Sequence, residues 1–286
     1  LEKVQIFAGQ RSRPKMERWV RFLRSDESNR TVRKKTKKIQ ILDRLAKNNE
    51  CSWEEIRNTV PNPSQALKNL EKEGCVQIFE KRVFRRFLED RMPPIESFQQ
   101  LKEDQQNVFQ EVGKNLQEEK YKTYLLEGVT GSGKTEVYLH AVRLTQELGK
   151  SSLVLVPEIS LTPLLVNRFR SRFGDAVAVL HSGMDDGERY DEWSRVRNGL
   201  SSIVVGARSA VFAPLNNLGL VIVDEEHDVS YKQAETPRYH ARDVAVYRGF
   251  KAKATVILGS ATPSLESSYN VKLGKYPPLF LKKRIF

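Results

Sequence analysis

Eight consecutive residues carry the clearest chemistry in this sequence. Gly128, Val129, Thr130, Gly131, Ser132, Gly133, Lys134 and Thr135 read GVTGSGKT, the spacing of a phosphate-binding loop. Glycines let the backbone N–H groups wrap phosphate oxygens, the Lys134 ammonium reaches the outer phosphates, and the Thr135 hydroxyl is offered to Mg2+. Such a loop is half of a nucleotide site, because a carboxylate must also reach the metal. LGLVIVDEEH supplies one at the end of an apolar run: Leu220 to Val223 lead into Asp224, Glu225, Glu226 and His227. Asp224 is expected to hold Mg2+, and Glu225 to orient and deprotonate an attacking water. An acidic strand end alone is usually a helix cap or a solvated turn. Joined to GVTGSGKT, it points to nucleotide hydrolysis at Lys134, Asp224 and Glu225.

These residues work only if strands and helices bring them to one place. Strand-like YLLE precedes the loop and helix-like TEVYLHAV follows it. Further apolar runs, SSLVLVP, AVAVLHS, SSIVVGA, LGLVIVDEE and ATVILGSATPS, alternate with amphipathic stretches. That rhythm predicts an α/β, doubly wound parallel sheet, with ligands at the C-terminal edges of its strands. Phe98 to Leu116 reads as a helix ahead of the first strand. After the acidic box, VSYKQAETPRYHAR interleaves aromatic and basic groups. Tyr231, Lys232, Arg238, Tyr239 and Arg242 are candidates for base stacking and phosphate pairing; a bland surface loop has the same composition.

The 286 residues include 48 Lys plus Arg and 36 Asp plus Glu, a formal net charge of +12. The excess fits a polyanion partner, and the length fits a small domain followed by a larger one. Basic residues crowd the early part, from Arg30 to Lys38 and from Lys81 to Arg91. Three short helices are expected here: one carrying Ile39, Leu42 and Leu45, one capped by Ser52, and one over 62–73 stopped by Gly74. CVQIF and VFRRFL flank EKR and predict a strand pair with a basic tip. Helices plus hairpin suggest a winged helix whose contacts are Lys68, Asn69, Lys72, Arg82 and Arg85, with Lys81 and Arg86 beside them. A small helical domain with solvated lysines, or a wing used for protein contacts, fits the same pattern.

Two cysteines, Cys51 and Cys75, supply neither a disulfide framework nor a four-ligand zinc site and are expected in the core. No stretch approaches the ~20 apolar residues that span a bilayer, and the first residues lack a secretory leader, so a reduced cytoplasmic setting and no membrane partner are expected. The expected organisation is 1–30, a linker or, as a family resemblance carried by later motifs implies, the tail of an upstream DNA-binding domain; 31–92, the winged helix; 93–100, a linker opened by Pro93-Pro94; 101–276, the nucleotide-binding lobe; and 277–286, which the same resemblance makes the start of a linker.

Asp-Glu-Glu-His resembles the DEAH-type box of superfamily 2 helicases. With LVPEISLTP, LHSGMDDGERYDEW, IVVGARSAVFAP, DEEHDVSYKQ, PRYHARDVA and LGSATPSLES, the chain resembles the PriA family of bacterial replication-restart helicases. The likeness is close from Leu101 to Tyr276 and looser before it. It implies the first RecA-like lobe of a monomeric, ATP- and Mg2+-dependent 3′ to 5′ DNA helicase. Its partners would be DNA forks and single-stranded/duplex junctions, with primosome and single-strand-binding proteins. LKEDQQ resembles that family's adenine-reading segment, with Gln105 on the base, although an amphipathic helix start reads alike. The 229–242 loop resembles the aromatic-rich loop that couples DNA to hydrolysis. His227, Ser260, Ala261 and Thr262 resemble residues linking hydrolysis to movement of a second lobe, and the triplet also reads as a helix cap. GARSA has Ala207 where the family more often has Thr. The family's second lobe, arginine finger and zinc-binding insertion have no counterpart among these residues, so zinc is expected only in a missing part and the fragment is not expected to unwind DNA. Other readings are a superfamily 2 translocase of the RecG or restriction-subunit type, and a DNA-binding adaptor with a nucleotide switch; the intact Glu225 argues against the adaptor.

Overall fold

The computed structural model describes residues 14–23, 36–85 and 93–284, and the chain divides into two compact units, Leu1–Phe84 and Arg85–Phe286. The first contains β1 (Lys15–Phe22), α1 (Lys37–Asn48), β2 (Glu50–Ser52), α2 (Trp53–Thr59), α3 (Ser64–Lys72) and β3 (Val76–Val83). Ser52 caps α2: its hydroxyl accepts from the Glu55 N–H at 3.1 Å, and the Glu55 carboxylate accepts from the Ser52 N–H at 3.0 Å. This reciprocal pair satisfies two otherwise unpartnered donors. Gly74, at φ 69°, turns the chain away after α3. Helical spacing sends Ile41, Leu45, Leu67 and Leu70 inward, where they meet Val20, Ile56, Val76 and the free thiols Cys51 and Cys75.

The expected strand pair with EKR at its tip does not form. Glu80, Lys81 and Arg82 lie within β3, which pairs antiparallel with β1 from Lys15↔Val83 to Phe22↔Val76. The physical reason is that only Val76 and Ile78 of this strand pack on the core, and beyond them Glu80 and Lys81 are exposed while ladder pairing with β1 continues, so charges enter the strand without a turn. EKR also lacks the Gly, Asn or Asp-Gly chemistry of a tight hairpin. The third strand comes instead from residues 15–22, which were expected to be a tail and form the centre of the order β2-β1-β3. Arg86, and Arg30 to Lys35, fall outside the described residues.

The second unit runs α4 (Glu103–Glu118), β4 (Lys122–Gly128), α5 (Lys134–Glu147), β5 (Ser151–Leu155), α6 (Pro163–Phe173), β6 (Val177–Leu180), α7 (Asp186–Arg197), β7 (Ile203–Gly206) and β8 (Leu218–Val223). It continues with β9 (Lys232–Gln233), β10 (Tyr239–His240), α8 (Ala241–Ala252), β11 (Thr255–Ser260), α9 (Leu265–Lys272) and β12 (Pro278–Leu281). Seven strands form one sheet in the order β12-β4-β11-β8-β5-β7-β6, each neighbouring pair parallel. Every residue of β5, β6, β7, β8 and β11 is buried, as strands covered on both faces require. One apolar layer joins the sheet to α4, α5 and α6 through Val112, Val137, Leu139 and Phe169. The other joins it to α7 and α8 through Val196, Ala241 and Ala245. This is a RecA-like, doubly wound α/β lobe. α4 begins at Glu103 rather than Phe98, because the Phe98 ring is held edge-on against His140 at 5.3 Å and Phe173 at 5.6 Å. No helix among the described residues is long and apolar enough to cross a membrane.

Candidate nucleotide-binding and catalytic site

β4 ends at Gly128 and the chain turns through 129–133 into α5. Gly131 and Gly133 adopt φ of 80° and 82°, left-handed values that side chains resist. The turn leaves the first N–H groups of α5 without intrahelical partners, a natural anion site. Ser132 Oγ is buried with no hydrogen-bond partner. Lys134 is buried too; its ammonium donates to the Gly128 carbonyl at 2.8 Å and lies 3.3 Å from Glu225 Oε1. An orphaned hydroxyl and a buried cation at a helix N-terminus fit a polyphosphate.

Strand register brings the acids to the same edge. Val223 of β8 aligns with Leu258 of β11 and with Leu155 of β5, and the Asp224 N–H donates to the Leu155 carbonyl at 2.9 Å. Tyr138, one helical turn beyond Lys134, donates its hydroxyl to Asp224 Oδ1 at 2.9 Å. Gly259 makes room for that contact, since a Cβ there would sit 1.8 Å from the phenol oxygen. Burial first, and Glu225 second, hold the Asp224 carboxyl above its ordinary range. Burial and then the charge of Asp224 push the Tyr138 phenol well up. A carboxylate placed this way gains from a nearby cation. Glu225 has a left-handed backbone at φ 44°. Its Oε2 lies 3.5 Å from the Ala261 N–H and 3.8 Å from His227 Nδ1. His227 Nδ1 is 2.8 Å from Ser260 Oγ, and its Nε2 is 3.4 Å from Thr262 Oγ1. The structure thus brings His227, Ser260, Ala261 and Thr262 beside Glu225.

Gln105 is buried on the first turn of α4. Its Nε2 donates to the Gly133 carbonyl at 3.1 Å, and its Oε1 accepts from the Lys102 N–H at 2.9 Å. It lines a cleft of about 160 Å3 whose walls carry both charges, Glu103 and Asp104 with Lys102, Lys283 and Arg284, beside Ser132 and Leu281.

The aromatic and basic loop divides into two sets. β9 and β10 form a small antiparallel hairpin, Tyr239↔Gln233 and His240↔Lys232. Lys232 and Arg238 are exposed and Tyr239 is half-buried, its ring edge-on to Phe212 at 5.0 Å. Arg208, from the GARSA string, anchors the base by donating to the Ser230 and Lys232 carbonyls at 3.3 and 3.0 Å. Tyr231 departs from expectation: it is fully buried and donates its hydroxyl to the Asp224 carbonyl at 2.6 Å, so it has no face to offer a base. Arg242 departs likewise, because its buried guanidinium pairs with Glu226 at 3.0 Å. Arg85 is a third correction. Its guanidinium and its backbone N–H both donate to the fully buried Asp191 carboxylate at 3.1 Å, which neutralises the charge expected on a wing. Of the other expected contacts, Lys68 and Lys72 are exposed on α3, Asn69 accepts from Gln65 at 3.2 Å, and the Arg82 guanidinium lies 4.5 Å over the Phe84 ring.

Sequence reasoning missed Tyr138, Glu226 and Arg208. Tyr138 was within reach, since a residue four positions after Lys134 shares its helix face. For Glu226 no pattern in the letters distinguishes a buried acid from its neighbours. Among the described residues no group of three or more His, Cys, Asp or Glu could hold a metal ion; a Mg2+ bound with a nucleotide takes most of its ligands from phosphate and water and needs no such group.

Residues 102–271 match the DEAD/DEAH box helicase family. Replication restart protein PriA of Bacillus subtilis (strain 168) is 46% identical over 231 residues, covering 81% of this chain and 29% of that protein. PriA of Synechocystis is 44% identical over 261 residues, 90% of this chain and 30% of that protein, and PriA of Haemophilus influenzae is 54% identical over 164 residues, 57% and 22%. The chain therefore spans less than a third of the length of these relatives. DEAD/DEAH box helicases in general use ATP and Mg2+. With its phosphate loop, acidic box and Ser260-Ala261-Thr262 gathered on one sheet edge inside the matched interval, the chain belongs to the DEAD/DEAH box helicase family.

Proposed function

We propose that this chain is the ATP-binding lobe, with an accompanying winged-helix DNA-binding domain, of a cytoplasmic, monomeric 3′ to 5′ DNA helicase that acts in replication restart. The observation that carries the reading is the convergence of Lys134, Asp224 and Glu225, with the ammonium 3.3 Å from the Glu225 carboxylate. Lys134 holds the outer phosphates. Thr135 and Asp224 would hold Mg2+, which when bound neutralises phosphate charge during transfer. Glu225 accepts the proton of the attacking water on a carboxylate oxygen. The new bond joins that water oxygen to the terminal phosphorus, and the bridging P–O bond breaks to leave ADP and phosphate. Gln105 and the cleft around it suit the adenine base.

DNA contact rests on the exposed Lys232 and Arg238 with the half-buried Tyr239, and on Lys68 and Lys72 of α3. Three helices against a three-stranded antiparallel sheet support a winged helix with α3 in the recognition position. Forked DNA, the primosome and single-strand-binding proteins are the partners this reading implies. Zinc would belong to a part of the parent protein beyond these residues.

The test is ATP turnover with and without a single-stranded oligonucleotide. The chain should hydrolyse slowly and faster with DNA, and Glu225→Gln should retain ATP while stalling. Bound ATP with no turnover in either condition would favour the adaptor with a nucleotide switch.

A further inference from the structure

The third residue of the acidic box is glutamate where the DEAH name has alanine, and it is fully buried. Glu226 Oε1 accepts from the Ser264 N–H at 2.7 Å. Its Oε2 accepts from the Ser264 and Ser267 hydroxyls, each at 2.9 Å, and from Arg242 Nη1 at 3.0 Å. Arg242 donates further to Ser264 Oγ at 2.8 Å and to Asp243 at 3.0 Å, and the Glu226 N–H donates to the Gly259 carbonyl at 3.0 Å. A buried carboxylate saturated in this way resists independent movement of any partner, because each lost contact leaves charge or a donor unpaired. Three segments meet on it. They are the box itself, the first turn of α8 directly behind the β9–β10 hairpin, and the first turn of α9 directly behind Ser260-Ala261-Thr262.

We propose that Glu226 is a positioning residue that makes the hairpin, Glu225 and the Ser260–Thr262 turn move as one body, so that DNA at the hairpin and ATP at Lys134 alter each other's affinity. The inference rests on the nucleotide site and hairpin contact proposed above and names the connection between them. Arg242 stands two residues after the hairpin strand β10, and Glu226 is bonded directly to Glu225. A displacement of α8 therefore reaches the hydrolytic carboxylate through one ion pair and one peptide link.

The test is titration of a fluorescent ATP analogue into the chain with and without saturating single-stranded oligonucleotide, with melting temperature measured alongside. Linkage makes the affinity ratio equal to the coupling whichever ligand is varied. The parent should show a ratio of about tenfold, within the ordinary range for coupled sites. Glu226→Gln, which keeps shape and loses charge, should bring the ratio near one. Ser267→Ala, which removes one hydrogen bond, should fall between, with the parent's DNA-free nucleotide affinity. Ratios unchanged in both variants, or lowered only in step with loss of the folded state, overturn the proposal. A parent that binds both ligands without coupling overturns this inference alone. A parent that binds no ATP overturns the nucleotide-site reading as well.

Discussion

Asp224 carries a cost that the fold accepts for the sake of its site. Its folded-state pKa lies above the ordinary carboxylate value, chiefly through burial and then through Glu225. A group raised in this way binds its proton more tightly when folded, so stability falls as pH rises through the window from the ordinary value to the raised one. Above that window the charge is present and the penalty is complete. Asp224→Asn should therefore raise the melting temperature, by about 2–4 °C if the relief is near 1 kcal/mol, while weakening Mg2+-dependent ATP binding. A thermal melt that falls instead would show that the hydroxyl of Tyr138 and the ammonium of Lys134 more than repay the burial. At this scale the meeting of Lys134, Asp224 and Glu225 at one sheet edge was legible because it follows from motif spacing along the chain. Tyr231 and Arg242 were misread because an aromatic or basic letter does not say which side of the backbone faces water, and both turn inward to bond the acidic box.

Among the elements, the β9–β10 hairpin separates two roles that the sequence had merged. Lys232 and Arg238 stand exposed on it, whereas Tyr231 supports it from beneath. Lys232→Ala with Arg238→Ala should flatten the dependence of log oligonucleotide affinity on log salt by up to about two ionic contacts, with little change in melting temperature. Tyr231→Phe should do the reverse, lowering stability by about 0.5–1.5 kcal/mol through the unpaired Asp224 carbonyl and leaving the salt slope alone. Anisotropy titrations at several salt concentrations, beside thermal melts, separate these outcomes. An equal salt effect from both would return Tyr231 to the DNA surface. The parallel strands were readable because burial on both faces leaves continuous apolar runs such as LGLVIV and TVILGS. β3 was divided in error because charges on the wet face of an antiparallel strand resemble a turn, and α4 was begun early because Phe98 packs on His140 and Phe173 outside any helix.

For the molecule as a whole, the chain divides between Phe84 and Arg85 rather than at 92–93, and β1, expected as a tail, takes the centre of the first sheet. β1 pairs with β3 some sixty residues later, and a short segment such as KMERWVRF carries no mark of so distant a partner. Much of the large unit was legible because each strand and the helix after it are neighbours in space, whereas residues 278–281, expected within a linker, form β12 and pair with β4 in the sheet. One lobe supplies Lys134, Asp224 and Glu225, whereas the arginine that stabilises transition-state charge in other nucleotide hydrolases is worth about 10³–10⁵ in rate. A fluorescent forked duplex should accordingly stay annealed when mixed with this chain and ATP, and robust strand separation would mean that no facing lobe is needed. Whether Lys134 marks a working nucleotide site is decided by calorimetric titration of Mg2+-ATP into the parent chain and Lys134→Ala. The parent should bind saturably, and the variant should lose at least about a hundredfold in affinity with the thermal melt of the fold preserved. Equal affinity in the two proteins would contradict the assignment of that site.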